Sequence, residues 1–274
     1  MSPKVLIITG MHRSGTSVIT QWLRRCGLPV GERLEPAGIG NADGHFEDAD
    51  FLEIHQQFLK ARKIPSSGFT SSPFRSLTPL EKEPLVSLLV EKNDQHEQWG
   101  WKEPRTCLFL DVYKELIPSA FYLVVVRDYK ATVNSMLQRE YATHSRKLRS
   151  KKGLSKLKWL LFKNKSRQQL SRKYAGEYLE IWIHYYECIM THILSLPPEK
   201  YMFIRFTFLV GNDKRVFSCL KDEWQFSLDY SPFASVFKQS LLSEVEDIEQ
   251  YIRNKTLLEK AKKIDRLIAQ MLDE

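Results

Sequence analysis

The sequence predicts an α/β domain: a central, mainly parallel β-sheet flanked by helices. Two short, unbroken apolar runs, Val5 to Thr9 and Phe121 to Val126, are rich in β-branched residues, as in parallel strands buried on both faces. Each is followed by a polar turn and a stretch of helical period. The turn after the first run, Gly10-Met-His-Arg-Ser-Gly-Thr-Ser17, is bracketed by glycines, and its helix runs on to a capping Gly27. Strand, loop and helix together aim backbone N–H groups and a helix dipole at one point, a geometry that holds a phosphate.

The loop departs from the nucleotide-triphosphatase pattern G-x-x-x-x-G-K-[ST] in one respect. Thr16 and Ser17 follow Gly15 where that pattern has Lys and then Ser or Thr, and the cation sits inside the loop at Arg13. A P-loop NTPase-like, three-layer domain is therefore expected, without the lysine that serves the terminal phosphates of ATP. The plainer alternative is a strand-to-helix turn with no ligand.

At 274 residues the chain is expected to form one domain over 1–274. Its 43% hydrophobic and 27% charged residues are those of an ordinary globule. No apolar run approaches the length of a membrane span, and the N-terminus enters the first strand with no apparent room for a signal peptide. The cysteines Cys26, Cys107, Cys188 and Cys219 lack C-x-x-C spacing and read as reduced core thiols, which favours a cytoplasmic location. The net charge of +8 is local in origin. Between Arg139 and Lys173 there are 13 Lys or Arg and one acid, Glu140, giving +12, so the remainder carries −4.

In chain order, residues 28–44 hold five glycines or prolines before Asn41 and form a loop returning toward the phosphate site. His45-Phe-Glu-Asp48 then leads into a helix patterned by Phe51, Ile54, His55, Phe58 and Leu59. Three prolines and five serines over 65–79 indicate an exposed connection. A helix over about 79–93 precedes a short strand, Trp99 to Lys102, closed by Glu103-Pro104. Helices are expected over 107–117, 129–140 and 171–195, a last strand over Tyr201 to Leu209, and three helical stretches thereafter. Strand ends at Thr9, Lys102 and Arg127 suggest one shared crevice, because ligands of open α/β sheets bind outside the carboxyl ends of the strands.

Three segments carry a family resemblance: Gly10-Met-His-Arg-Ser-Gly-Thr-Ser17, Trp101-Lys-Glu-Pro-Arg105 and Val126-Arg-Asp-Tyr-Lys-Ala-Thr-Val-Asn-Ser135. In that order and at those separations they resemble the motifs of PAPS-dependent sulfotransferases, in the style of bacterial members and the tyrosylprotein branch. The resemblance implies the co-substrate 3′-phosphoadenosine-5′-phosphosulfate (PAPS), with adenosine 3′,5′-bisphosphate as product and no metal. It assigns His12, Arg13, Ser14, Gly15, Thr16 and Ser17 to the 5′-phosphosulfate. Arg127 and Ser135 go to the 3′-phosphate, and Arg139 joins the donor contacts. Arg13 and Lys102 would balance charge on the departing phosphate, with Glu103 holding Lys102 in place. Glu47 is the favoured base, with His45 as runner-up and Asp48 also in range; Asp48 equally suits a helix cap. His184 and His192 read as packed or solvated.

The expected reaction moves a sulfuryl group to a hydroxyl, less readily an amine, of a glycan, glycolipid or small metabolite. The basic segment 141–173 reads as a lid that recognises the acceptor, as an amphipathic stretch touching a membrane surface, or as a solvated face. Nucleic acid is disfavoured because its aromatics are not interleaved as a stacking platform. An ATP-dependent kinase on the same fold and a non-catalytic module for anionic ligands or membranes are the competing functions.

Overall fold

A computed structural model describes residues 3–38, 44–74, 76–149, 154–239 and 245–273, apart from the side chains of 148–164 and 273. Part of the glycine-rich return loop (39–43), and 150–153 of the basic segment, lie outside the described residues.

Four strands, β1 (Lys4–Thr9), β2 (Gln98–Lys102), β3 (Phe121–Val125) and β4 (Tyr201–Ile204), form one parallel sheet in the order β2-β1-β3-β4. Lys4 to Ile8 pair with Gln98 to Lys102 on one side, and Leu6 to Thr9 pair with Phe121 to Val124 on the other. Alternate residues of the central strands feed two cores, which makes the sheet the middle of three layers. Val5, Ile7, Tyr122 and Val124 face one core; Leu6, Ile8, Leu123 and Val125 face the other.

The first core is covered by α2 (Ala49–Ala61), α3 (Pro79–Gln95), α4 (Leu110–Leu116), α5 (Tyr129–Arg149), α6 (Leu154–Ile193) and α8 (Lys255–Asp273). The second is covered by α1 (Thr16–Arg25), α7 (Asp213–Ser218) and the segment running to Phe237. Local signals explain the starts of the helices. Asp48 caps α2 by accepting from Asp50 N, 2.9 Å away. Thr78 and Glu81 form a reciprocal capping box ahead of Pro79 in α3.

Several boundaries differ from the sequence expectation. The stretch 107–117 is broken at Phe109 into a 3₁₀ turn, Pro104–Leu108, and the short α4. The helix expected to end near 140 continues to Arg149, and the one expected from 171 begins at Leu154. The basic segment is thus shared between two packed helices, because a polar stretch can still be helical when a neighbour covers one face. β4 stops at Ile204, after which the chain turns and places Phe206 beneath the first loop. All four cysteines are free, and Cys26, Cys107 and Cys219 are buried. Among the described residues no helix is long and apolar enough to cross a membrane.

β1 connects outward to β2, whereas the chain later enters β3 on the other side of β1. A crevice opens beyond the carboxyl ends of strands at such a reversal. It receives the loop after β1, Lys102 from β2 and Arg127 from β3.

Candidate active site

The loop after β1 is shaped by close packing. A Cβ at Gly10 would lie 2.4 Å from the Val125 carbonyl oxygen, so only glycine lets the loop cross the end of β3. Gly15 has φ +97°, and a Cβ there would lie 2.3 Å from the Phe206 ring. Arg13 also adopts positive φ, 69°, which turns its side chain out of the strand direction. Ser14 is buried and donates to the Met11 carbonyl at 2.6 Å, closing the turn from inside. α1 begins at Thr16 with no side-chain cap and no acid in its first turn, a helix amino terminus suited to an anion.

Three arginines converge on this loop. Arg13 Nε donates to Ser135 Oγ at 2.9 Å, and Arg127 Nη1 donates to the Arg13 carbonyl at 2.9 Å. Arg127 is positioned by its backbone: its N–H donates to Tyr186 Oη, while Trp182 Nε1 and Tyr186 Oη reach its carbonyl. Its guanidinium lies 5.8 Å from the centre of the Phe206 ring. Burial, and then Arg139 and Arg127, pull the Arg13 guanidinium down to about 10. Arg127 and Arg139 form no ion pair among the described residues. Arg127 and Ser135 are thus linked through Arg13, whose side chain reaches Ser135 and whose carbonyl accepts from Arg127.

The other side of the crevice is built on β2. Lys102, 1% exposed, donates to the His45 carbonyl at 2.6 Å, and its Nζ lies 3.2 Å from Glu47 Oε1. Ser17 Oγ donates to the same carbonyl at 2.8 Å, tying α1 to the segment that carries Glu47. Burial draws the Lys102 ammonium below the usual lysine value, against the pull of Glu47. His45 Nδ1 lies 3.9 Å from Glu47, and burial lowers its pKa too. Asp48 is spent as the α2 cap, and burial raises its carboxyl to about 6.

Glu103 does not hold Lys102. It is fully buried and pairs with Arg105, whose backbone N–H it also accepts, and with His55 Nδ1 at 2.5 Å. His55 Nε2 in turn meets Tyr113 Oη at 2.7 Å. Burial opposes the Glu103 charge, yet Arg105 and His55 outweigh it and hold the carboxyl at about 2. His184 lies 3.8 Å from the Cys188 sulfur and His192 is buried against Tyr122, both away from the crevice residues.

An open cleft with about 570 Å³ of empty space adjoins the loop, lined by His12, Arg13, Phe69, Arg105, Arg139 and Tyr178 among others. His12 Nε2 lies 3.1 Å from the Ser67 carbonyl, which can only accept, so that nitrogen carries the proton. Burial, reinforced by Arg105, keeps the ring neutral. Arg105, Phe69 and Tyr178 were not recognisable in the sequence as site residues. Phe69 lies in a Pro/Ser-rich stretch that looks like an exposed connection and instead folds over the crevice. The one available signal for Arg105 was its place in the Trp-Lys-Glu-Pro-Arg segment at a strand end. Among the described residues no group of three or more His, Cys, Asp or Glu is arranged to hold a metal.

The fold is shared with known proteins. The crystal structure of sulfotransferase STF9 from Mycobacterium avium superposes with a TM-score of 0.58 at 14% identity, covering 100% of this chain and 77% of that one. The sulfotransferase domain from the curacin biosynthetic pathway aligns at TM-score 0.49 and 13% identity, covering 97% and 98% of the two chains. The sulfotransferase domain from the Synechococcus PCC 7002 olefin synthase gives 0.46 and 15%, covering 100% and 96%. No curated protein is significantly similar in sequence. The sequence model of the sulfotransferase family matches residues 3–222, most of the chain. By that match, this chain belongs to the sulfotransferase family.

Proposed function

We propose that the protein transfers a sulfuryl group from PAPS to a hydroxyl of an acceptor, a glycan, glycolipid or small metabolite. The observation that carries this reading is the convergence of Arg13, Arg127 and Arg139 on an uncapped helix amino terminus at the sheet's switch point. Arg139 and Arg127 add to burial in lowering the pKa of Arg13, and such a gathering of cations is costly without an anion between them. A donor with a 5′-phosphosulfate and a separate 3′-phosphate fits that spread of charge. When bound, it supplies the sulfuryl group and a phosphate leaving group.

The amides and hydroxyls of residues 12–17, with Arg13, would hold the phosphosulfate; Arg127, Ser135 and Arg139 would hold the 3′-phosphate. To admit that phosphate, Arg13 has to leave Ser135 and turn toward the loop's own anion. Lys102, buried beside the loop, would balance charge that builds on the leaving oxygen. Glu47 would accept the acceptor's hydroxyl proton, and its contact with Lys102 orients the carboxylate.

Calorimetric titration with adenosine 3′,5′-bisphosphate and with ATP, each with and without magnesium, tests the reading. The expected result is saturable bisphosphate binding that needs no metal and exceeds that of ATP. Preferential, magnesium-dependent ATP binding would overturn it in favour of a phosphotransferase.

A further inference from the structure

Resting on the donor assignment above, we infer that the acceptor carries an anionic group, a carboxylate, phosphate or sulfate, besides its reactive hydroxyl, and that Arg105 reads it. The order of the strand ends decides which cations serve which substrate. Across the crevice lie β2 with Lys102 and Arg105, then β1 with its loop, then β3 with Arg127. The donor's phosphates belong to the β1 and β3 side, so Arg105, on the β2 side, is left for the second substrate.

Arg105 is a built feature of the cleft. It is 8% exposed, its Nε donates to the Ser66 carbonyl at 2.6 Å, and its Nη1 pairs with Glu103. Its Nη2 has no protein acceptor among the described residues, although the side chain lines an open cleft. Behind it the buried chain Glu103–His55–Tyr113 fixes the guanidinium from the core. A lone surface arginine would not need three buried polar groups to aim it. The wall beside it is aromatic, with Phe69 edge-on to His12 at 5.1 Å and Tyr178 at 6.0 Å from Phe69. Glu140 also lines this wall, 3.5 Å from Tyr178 Oη and adjacent in sequence to Arg139, and it discriminates against a second anion placed at that end. The cleft therefore favours a molecule with one anionic end at Arg105 and a ring or apolar body against Phe69 and Tyr178.

The probes are 4-hydroxyphenylacetate and its methyl ester, identical except for the charge, titrated into protein saturated with adenosine 3′,5′-bisphosphate. The acid should bind saturably, near 1 mM for one charge-assisted contact plus a ring (about 4 kcal/mol), and at least about tenfold more tightly than the ester. Arg105→Met should remove that preference, Arg105→Lys should keep part of it, and neither should alter bisphosphate affinity. Arg105→Met strands Glu103, so the acid-to-ester ratio of the unmodified protein stands as a test by itself. Equal binding of acid and ester, or no saturable binding of the acid, overturns the inference while leaving the donor reading intact. Failure of the bisphosphate to bind removes the donor reading first. Phosphotyrosine and tyrosine sulfate, run in the same way, establish which anion is preferred.

Discussion

Replacing Arg13 by Met separates what this residue does for the ligand from what it costs the fold. Met keeps an unbranched stem of similar reach and the same backbone preference at φ 69°, so the change is mainly electrostatic. Holding the guanidinium's pKa down at about 10, below the ordinary arginine value, corresponds to about 3 kcal/mol spent to keep the charge in place. A lowered pKa on a base means that the folded state holds this proton less tightly than the unfolded state. The penalty is therefore fully present at every pH below about 10, including neutrality, and disappears only as pH rises toward the unfolded value. Losing the bond to Ser135 Oγ returns about 1 kcal/mol. Arg13→Met is expected to stabilise the ligand-free protein by about 2 kcal/mol, or roughly 5 °C in melting temperature. The same substitution removes a charge-assisted contact to the phosphosulfate and should weaken adenosine 3′,5′-bisphosphate binding about ten- to hundredfold. Urea denaturation and calorimetric titration of the two proteins measure both quantities. A variant less stable than the parent, or one that binds the bisphosphate equally well, refutes the view that the arginines are held together for an anion.

Gly15→Ala forces a side chain into positive φ and against Phe206, so it should cost about 2 kcal/mol or more in chemical denaturation and abolish bisphosphate binding; a neutral effect would mean that the loop relaxes freely. Glu103→Gln leaves the Arg105 cation buried and should cost about 3 kcal/mol at neutral pH. Since Glu103 is held at about 2 against an ordinary 4.5, its contribution is complete above 4.5 and is lost as pH falls through 2. The deficit of the Gln variant should accordingly be flat across neutral pH and shrink in acid; a deficit that grows in acid contradicts the assignment. Glu47→Gln should lower turnover about 10²- to 10³-fold in a labelled-sulfate transfer assay and leave bisphosphate affinity within about twofold. Unchanged turnover removes Glu47 as the base and turns attention to His45.

The sheet was legible because a strand buried on both faces has to be apolar along its length, and Val5–Ile8 and Phe121–Val126 are. The shape of the first loop was legible because its constraints are local: Gly10 and Gly15 are needed for close approach and positive φ, and Arg13 lies between them. Helix ends were harder. Thr78 and Glu81 announce α3 by chemistry that the sequence displays, whereas the extension of α5 to Arg149 and the early start of α6 depend on two helices covering one another. Pairings at long sequence separation were out of reach. Glu47 with Lys102, Arg13 with Ser135 and Phe206 under Gly15 join segments 55, 122 and 191 residues apart, and no local pattern encodes a partner. Glu103 shows the difference clearly. One residue from Lys102 in sequence, it was expected to serve that lysine. Successive side chains leave an extended segment in different directions, and the tertiary structure turns Glu103 into the core with His55 and Arg105. The sequence by itself determined a parallel α/β sheet with a glycine-bracketed, arginine-bearing loop and three motifs at strand ends. Only the packed structure decided which acid meets which cation, because that depends on which side of the sheet each loop returns to.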